Sequence, residues 1–299
     1  MWVGRKISKE GINFDPEMTR GLVGLTPPKN AQQLQKFVCG ANWMRNSIPS
    51  FAEAIEPLQS VLKSCQKEAG SAKGTRLRKI PLEWTEQMNK AFENVKKLIE
   101  NAVRLAHPDF EKQFCLFTDA SDLHWGVVLT QVTWIDDQEC ITKQSHEPLS
   151  FLSGSFSGSQ LNWSIIEKEA FPIIAAVDRL RHYLLNDKGF RLYTDHRNLV
   201  YVFDPISRGS DCTKQTSEKL ARWAEKLRAH TYTVEHLPGE SNVWADILSR
   251  WKDNNESIQS QSAERLAGMM SSTPVKPDMD EFVWPSKEEI YKAQSKTMK

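Results

Sequence analysis

The chain has 299 residues, of which 39% are hydrophobic and 26% charged, enough for one large domain or two ordinary ones. Its longest uncharged apolar stretch, Ala170 to Val177, is eight residues, far short of the roughly 18 to 20 that a membrane helix needs. The opening Met1-Trp2-Val3-Gly4-Arg5-Lys6 has no apolar signal core, so neither a membrane span nor secretion is expected, and the reading is an intracellular protein, nuclear or cytoplasmic. The five cysteines are widely spaced and never form a C-x-x-C pair, which suggests neither a disulfide framework nor a zinc site. A metal bound here would need oxygen ligands.

The net charge of +1 hides an asymmetry. Residues 1–80 carry 13 Lys and Arg against 6 Asp and Glu, residues 81–252 carry 20 against 24, and residues 253–299 carry 6 against 8. The basic end suggests a polyanion partner. Its densest part, Lys63, Lys67, Lys73, Arg76, Arg78 and Lys79, is interspersed with Gly70, Ser71 and Gly74 and reads as a flexible linker.

In chain order, a short β-like piece and the turn Glu10-Gly11 lead to Asp15-Pro16-Glu17, which starts a helix that Thr26-Pro27-Pro28 ends. From about Ala31, Leu34, Phe37, Val38 and Ala41 make one apolar helical stripe before Ile48-Pro49 breaks it. Residues 1–80 are thus a small helical unit. Thr85 or a neighbour caps the next helix, whose apolar face is Met88, Ala91, Phe92, Val95, Leu98 and Ile99, and Pro108 closes it. This connecting segment, 81–110, is grouped with residues 111–252 in one domain.

Phe114 to Thr118, Trp125 to Val132 and Leu149 to Leu152 read as three strands of an antiparallel meander, with Asp136-Asp137-Gln138 as a turn. A long helix comes next, opened by the capping box Ser164-x-x-Glu167, with Ile165, Ile166, Ala170, Ile173, Ile174, Val177, Leu180 and Leu184 as its buried face. Phe190 to Thr194 is a strand, Leu220 to Leu227 an amphipathic helix, Tyr232 to Leu237 a last strand and Asn242 to Trp251 a short helix. The order βββαβαβα predicts an α/β fold, a mixed sheet with flanking helices. Residues 253–299 read as a linker or tail.

Four acids fall at element ends or on a helix: Asp119, Glu169, Asp195 and Asp246. Convergent carboxylates are what a pair of Mg²⁺ ions requires, because hard cations want oxygen ligands. The alternative reading makes Asp119 and Asp195 turn acids, Glu169 an exposed helical residue and Asp246 a first-turn acid favoured by the helix dipole.

Around these acids stand Phe117-Thr118-Asp119-Ala120-Ser121-Asp122, Glu167-Lys168-Glu169-Ala170, Tyr193-Thr194-Asp195-His196-Arg197-Asn198-Leu199, and Leu237-Pro238-Gly239-Glu240 running on to Ala245-Asp246-Ile247-Leu248-Ser249-Arg250. These words, in this order, resemble the ribonuclease H domain of gypsy-type LTR-retrotransposon reverse transcriptases. Upstream, Ile7-Ser8-Lys9-Glu10-Gly11-Ile12 and Ala41-Asn42-Trp43-Met44-Arg45-Asn46-Ser47-Ile48-Pro49 are similar to the thumb and connection region of the same polyproteins.

The resemblance implies a ribonuclease H-like five-stranded sheet over residues 81–252, a thumb and connection remnant over 1–80, and a flexible tail over 253–299. It also implies that Asp119, Glu169, Asp195 and Asp246 hold two Mg²⁺ ions, for which Mn²⁺ can substitute, and cut the RNA strand of an RNA-DNA hybrid. Glu169, followed by the small Ala170, fits the family's glutamate better than Glu167 does. Arg197, Asn198, Lys219, Arg222 and Lys226 are the candidates for gripping the hybrid's backbone, with other parts of a retroelement polyprotein as further partners. Trp125, Trp163, Trp223 and Trp244 read as packing residues. The one Asp-Asp pair, Asp136-Asp137, reads as a turn and not as a polymerase metal motif, so polymerase activity is not expected from these residues.

Two departures from the family pattern bear on activity. Pro172, inside the helix of Glu169, removes the hydrogen bond to the Lys168 carbonyl at a cost of roughly 3 kcal/mol unless the helix bends, and a displaced Glu169 would weaken one metal site. Glu240 lies in the loop where many ribonucleases H place a histidine. The competing reading is therefore an inactive, truncated or host-recruited retroelement remnant that at most binds nucleic acid.

Overall fold

The computed structural model describes residues 4–9, 11–133, 141, 144–204 and 218–238. A hairpin of β1 (Arg5–Ser8) and β2 (Gly11–Phe14) precedes α1 (Pro16–Val23), α2 (Ala31–Trp43), α3 (Phe51–Glu68), α4 (Gly74–Leu77) and α5 (Glu86–Glu100). Local side chains cap these helices: oxygens of Asp15, Asn30 and Thr85 accept the N–H groups of Glu17, Gln33 and Met88. Helices α2, α3 and α5 share one core around Phe37, Phe51, Leu58 and Phe92.

Two expectations change here. The stretch from Lys63 to Lys79, read as a linker, is helical through Glu68 and again at Gly74–Leu77, with Leu77 fully buried. The apolar residues of α3, Phe51, Ala54, Ile55, Leu58, Leu62 and Cys65, keep helical spacing, a signal interrupted in the sequence by Pro57 and diluted by Ser, Gln and Lys. The helix Glu86–Glu100, grouped by its place in the sequence with the sheet, puts its apolar face into the helical unit, because α3 and α1 cover it.

The sheet comprises β3 (Gln113–Ala120), β4 (His124–Val132), β5 (Glu147–Ser155), β6 (Phe190–Thr194) and β7 (Tyr232–His236) in the order β5-β4-β3-β6-β7. β3, β4 and β5 form the expected antiparallel meander, and β6 and β7 add in parallel on the other side of β3. The crossover from β5 to β6 is α6 (Ile165–Arg179) followed by the short α7 (Arg181–Leu184). α8 (Arg197–Phe203) and α9 (Glu218–Leu227) connect β6 to β7.

Alternation along β3 divides the packing. Phe114 and Leu116 join α6, while Cys115 and Phe117 join Val128, Phe151 and Tyr193 on the opposite face. Ile165, expected in the buried face, is 71% exposed, whereas Ile166 is partly buried against the core and the fully buried face starts at Ala170. The helix also stops at Leu180, so Leu184 is buried from α7 and not from one continuous helix.

The two units meet along β5 and the start of β4. The Arg45 guanidinium donates to the Ser153 carbonyl at 2.7 Å, the Ala52 N–H donates to Ser153 Oγ at 3.0 Å, and His124 Nε2 lies 2.7 Å from Glu56 Oε2. Gly154 pairs with Trp125 across the β4-β5 ladder, and a Cβ there would lie 2.5 Å from the indole. Among the described residues no helix is long and apolar enough to cross a membrane. The tail 253–299, the Asp136-Asp137 turn and the helix expected at Asn242 to Trp251 lie outside the described residues.

Replacing Gly154 by Ala forces Trp125 off its position and should lower the unfolding free energy by about 1–3 kcal/mol, read by urea denaturation. A second expectation concerns pH. His146 is buried, its Nε2–H donates to the Ile141 carbonyl and its Nδ1 lies 2.7 Å from Thr130 Oγ1, and burial lowers its pKa below the ordinary 6.5. The unfolded chain then binds the proton first, so the stability contributed by neutral His146 is present above about pH 6.5 and is lost as pH falls. Melting curves from pH 7.5 to 5.5 should show this decline, and His146→Gln should flatten it.

Candidate active site

β3 and β6 are adjacent, parallel and in register from Phe114 opposite Phe190 to Thr118 opposite Thr194. The next residue along each chain, Asp119 and Asp195, therefore emerges at the same carboxyl edge of the sheet, the edge where open α/β sheets bind ligands. Glu169 reaches that edge from the second turn of α6. One carboxylate oxygen from each of Asp119, Glu169 and Asp195 lies within 4.8 Å of the others. Among the described residues, no other group of three His, Cys, Asp or Glu side chains converges in this way.

The surroundings hold these groups in place. Asp119 is only 3% exposed, and its Oδ1 accepts the Ala120 N–H at 2.9 Å. The Ser164 N–H donates to Glu167 Oε2 at 3.0 Å in the expected capping box, which sets the start of α6, and Lys219 pairs with Glu167 at 3.1 Å. Helix α6 runs on through the buried Pro172, and Glu169 still converges with Asp119 and Asp195. The helix dispenses with one hydrogen bond because Ile173, Ile174 and Val177 beyond it are buried, each contributing roughly 1.5–3 kcal/mol.

Three carboxylates at this separation repel one another by a few kcal/mol per pair at an effective dielectric near 20. A hard divalent cation is suited to relieve that repulsion, since all the converging donors are oxygens. The fit is thus to an ion such as Mg²⁺ or Mn²⁺ and not to a thiophilic metal. Asp246, the fourth acid singled out in the sequence, lies outside the described residues, as does Trp244.

The basic candidates divide. Arg197 and Asn198 are exposed at the start of α8, beside Asp195, and Arg222 is exposed on α9. Lys219 lies 4.1 Å from the Trp163 ring centroid as well as on Glu167, and Lys226 pairs with Asp178 at 2.5 Å. Trp163 packs edge to face with Trp223, Phe171 and Phe156, Trp223 also meets Phe171 at a tilt, and Trp125 is buried against Phe171. These indoles are packing residues, as the sequence predicts.

Sequence reasoning missed two supports. His236 Nε2–H donates to the Asp195 carbonyl at 3.0 Å, a contact created by the parallel register of Thr194 with His236. Lys168, buried beside Glu169, pairs with Asp122 at 3.3 Å, joining α6 to the loop after Asp119. The adjacency of Asp122 to the Asp119 motif was the available signal for the second; nothing local marks the first.

Residues 109–230 match the family described as the RNase H-like domain found in reverse transcriptase. Over 278 residues, 93% of the chain, the sequence is 30% identical to the Transposon Tf2-3 polyprotein of Schizosaccharomyces pombe, and equally so to the Tf2-4 polyprotein. The chain spans 19% of the length of these curated relatives. Among solved structures, the foamy viral protease-reverse transcriptase in complex with RNA/DNA hybrid is similar over 94% of this chain and 32% of that one, with TM-score 0.60 and 18% identity. Its dRH form in complex with double-stranded DNA is similar over 79% of this chain and 38% of that one, with TM-score 0.59 and 18% identity. The sheet with its flanking helices is an RNase H-like fold.

Mg²⁺ or Mn²⁺ at millimolar concentration should raise the melting temperature by roughly 2–4 °C through preferential binding to the folded acids. Asp119→Asn should abolish that rise, and differential scanning fluorimetry checks both.

Proposed function

We propose that this chain is the ribonuclease H portion of a gypsy-type LTR-retrotransposon polyprotein and hydrolyses the RNA strand of RNA-DNA hybrids. The observation that carries this reading is the convergence of Asp119, Glu169 and Asp195 from β3, α6 and the end of β6. A fold with the same edge geometry but scattered acids would not support it.

Asp119, Glu169 and Asp195, with Asp246 as the fourth ligand, would hold two Mg²⁺ ions. When bound, these cations supply electrophilic stabilisation to the attacking and leaving oxygens of an in-line phosphodiester displacement. The protein's own part is positional. Asp119 is locked by burial and by the Ala120 N–H, Asp195 by the His236 contact to its carbonyl, and Glu169 by the capped and packed helix behind it. Carboxylates held in this way lose little freedom when the site is loaded, which is the benefit of preorganisation. Cleavage yields 5′-phosphate and 3′-hydroxyl ends.

The hybrid is gripped through its backbone and 2′-hydroxyls, without sequence readout. Arg197, Asn198 and Arg222 are exposed for this role. The Lys226 pair with Asp178 is about half exposed on each side, and pairs of that exposure are worth about 0–1 kcal/mol, so its exchange for a phosphate costs little. Lys219 acts through Glu167 and α6 in addition to its charge. The helical unit over the first hundred residues is the counterpart of a thumb and connection, with further polyprotein segments as partners.

The test is cleavage of an end-labelled RNA-DNA hybrid by the purified chain with Mg²⁺ or Mn²⁺. Metal-dependent cutting of the RNA strand is expected, with Asp119→Asn and Glu169→Gln each slowing it on the order of a hundredfold or more, the scale for losing one group that stabilises developing charge. Folded protein that leaves the hybrid intact would make the chain a binding remnant and overturn the reading.

A further inference from the structure

At the seam between the helical unit and the sheet lies a cavity of about 420 Å³ lined by three arginines from three separate elements: Arg5 of β1, Arg45 from the turn after α2, and Arg179 at the end of α6. Asn46, Ser150 and Tyr183 add neutral hydrogen-bonding groups, and His182 joins Arg179 at the exposed mouth. No Asp or Glu lines it. None of its residues belongs to the acidic centre.

Each guanidinium is held without a carboxylate. Arg5 stacks over Phe14 and Trp43 at 5.5 and 5.7 Å, Arg179 lies 5.2 Å from the Trp125 ring centroid, and Arg45 donates to the Ser153 carbonyl at 2.7 Å. Among the described residues none of the three forms an ion pair. Burial, and then the like charge of Arg179, lower the pKa of Arg45. The end of α6 offers only about half a negative charge in compensation.

Assembling three cations in a partly enclosed cleft is unfavourable by itself and becomes favourable when an oxyanion enters. Guanidinium forks match phosphate oxygens in a way a point charge does not. The volume falls in the usual range for small-ligand sites, which accommodates a phosphate with part of its ester. We infer that the Arg5, Arg45 and Arg179 cleft is a phosphate-binding site, separate from the acidic centre, that takes either a backbone phosphate of a nucleic acid or a free phosphate group. The inference does not depend on hybrid cleavage, since its readouts need no catalysis.

The experiment uses the full chain without divalent cation. Inorganic phosphate should raise the melting temperature by roughly 2–4 °C more than chloride at equal ionic strength if the free group is a ligand. Arg179→Gln should unfold as cooperatively as the parent and lose at least half of that rise. Arg5→Gln combined with Arg179→Gln should abolish it, and Arg181→Gln, outside the cavity, should keep it. Arg45 is left intact because it also ties the two units together.

Binding of an RNA-DNA hybrid in EDTA across a salt series separates the sources. Weaker binding by Arg179→Gln with a salt slope reduced by about 1 identifies a backbone phosphate. An unchanged hybrid affinity with a lost phosphate response identifies a free phosphate group. The inference is overturned if phosphate does no more than chloride while Arg179→Gln leaves hybrid affinity and salt slope unchanged. It is equally overturned if the double variant keeps the full response to phosphate.

Discussion

The parallel pairing of β3 with β6 is the constraint on which the candidate site depends. With Thr118 opposite Thr194, the following aspartates emerge together at one sheet edge; a shift of one residue would send Asp195 to the other face of its strand. The pairing is specified by burial on both sides. Phe114, Leu116, Phe190 and Leu192 pack under α6, and Phe117 stacks on Tyr193 at 4.9 Å on the other face. A slipped register would expose these side chains, each contributing roughly 1.5–3 kcal/mol when buried.

Glu169 depends on a different set of contacts. Helix α6 is located by its capping box, its lysine pair to α9 and an aromatic cluster in which Phe171 touches Trp125, Phe156, Trp163 and Trp223. Gly154 leaves the space that lets the Trp125 indole lie against the neighbouring strand. The position of one carboxylate is thereby tied to packing on the edge strands, several contacts from the acids themselves. Pro172 is tolerated within this arrangement because the turns beyond it are held by tertiary burial and not by the helix ladder alone.

The helical unit is joined to the sheet by directional contacts. The Arg45, Ala52 and His124 hydrogen bonds all converge near the ends of β4 and β5. The arginine cleft lies along the same seam, so a bound oxyanion would be held by residues of both units at once. Charge at the seam thus differs in sign from charge at the acidic centre, and the two sites call for opposite ligands.

Much of the architecture is legible in the sequence. Runs of aromatic and branched residues identify the strands, the caps at Asp15, Thr85 and Ser164 identify helix starts, and the motifs around Asp119, Glu169 and Asp195 single out the three acids that the structure brings together. These are local signals, set by period, cap chemistry and short words. Helix α3 escapes detection because Pro57 and a polar composition obscure its period, and α5 is grouped with the wrong neighbour because amphipathicity shows that a face is buried but not what buries it. The strand order β5-β4-β3-β6-β7, the His236 contact to Asp195 and the meeting of Arg5, Arg45 and Arg179 were decided only by the tertiary structure. Each joins residues distant in the chain, and such proximity depends on which hydrophobic faces pack together, a choice that no single segment encodes by itself.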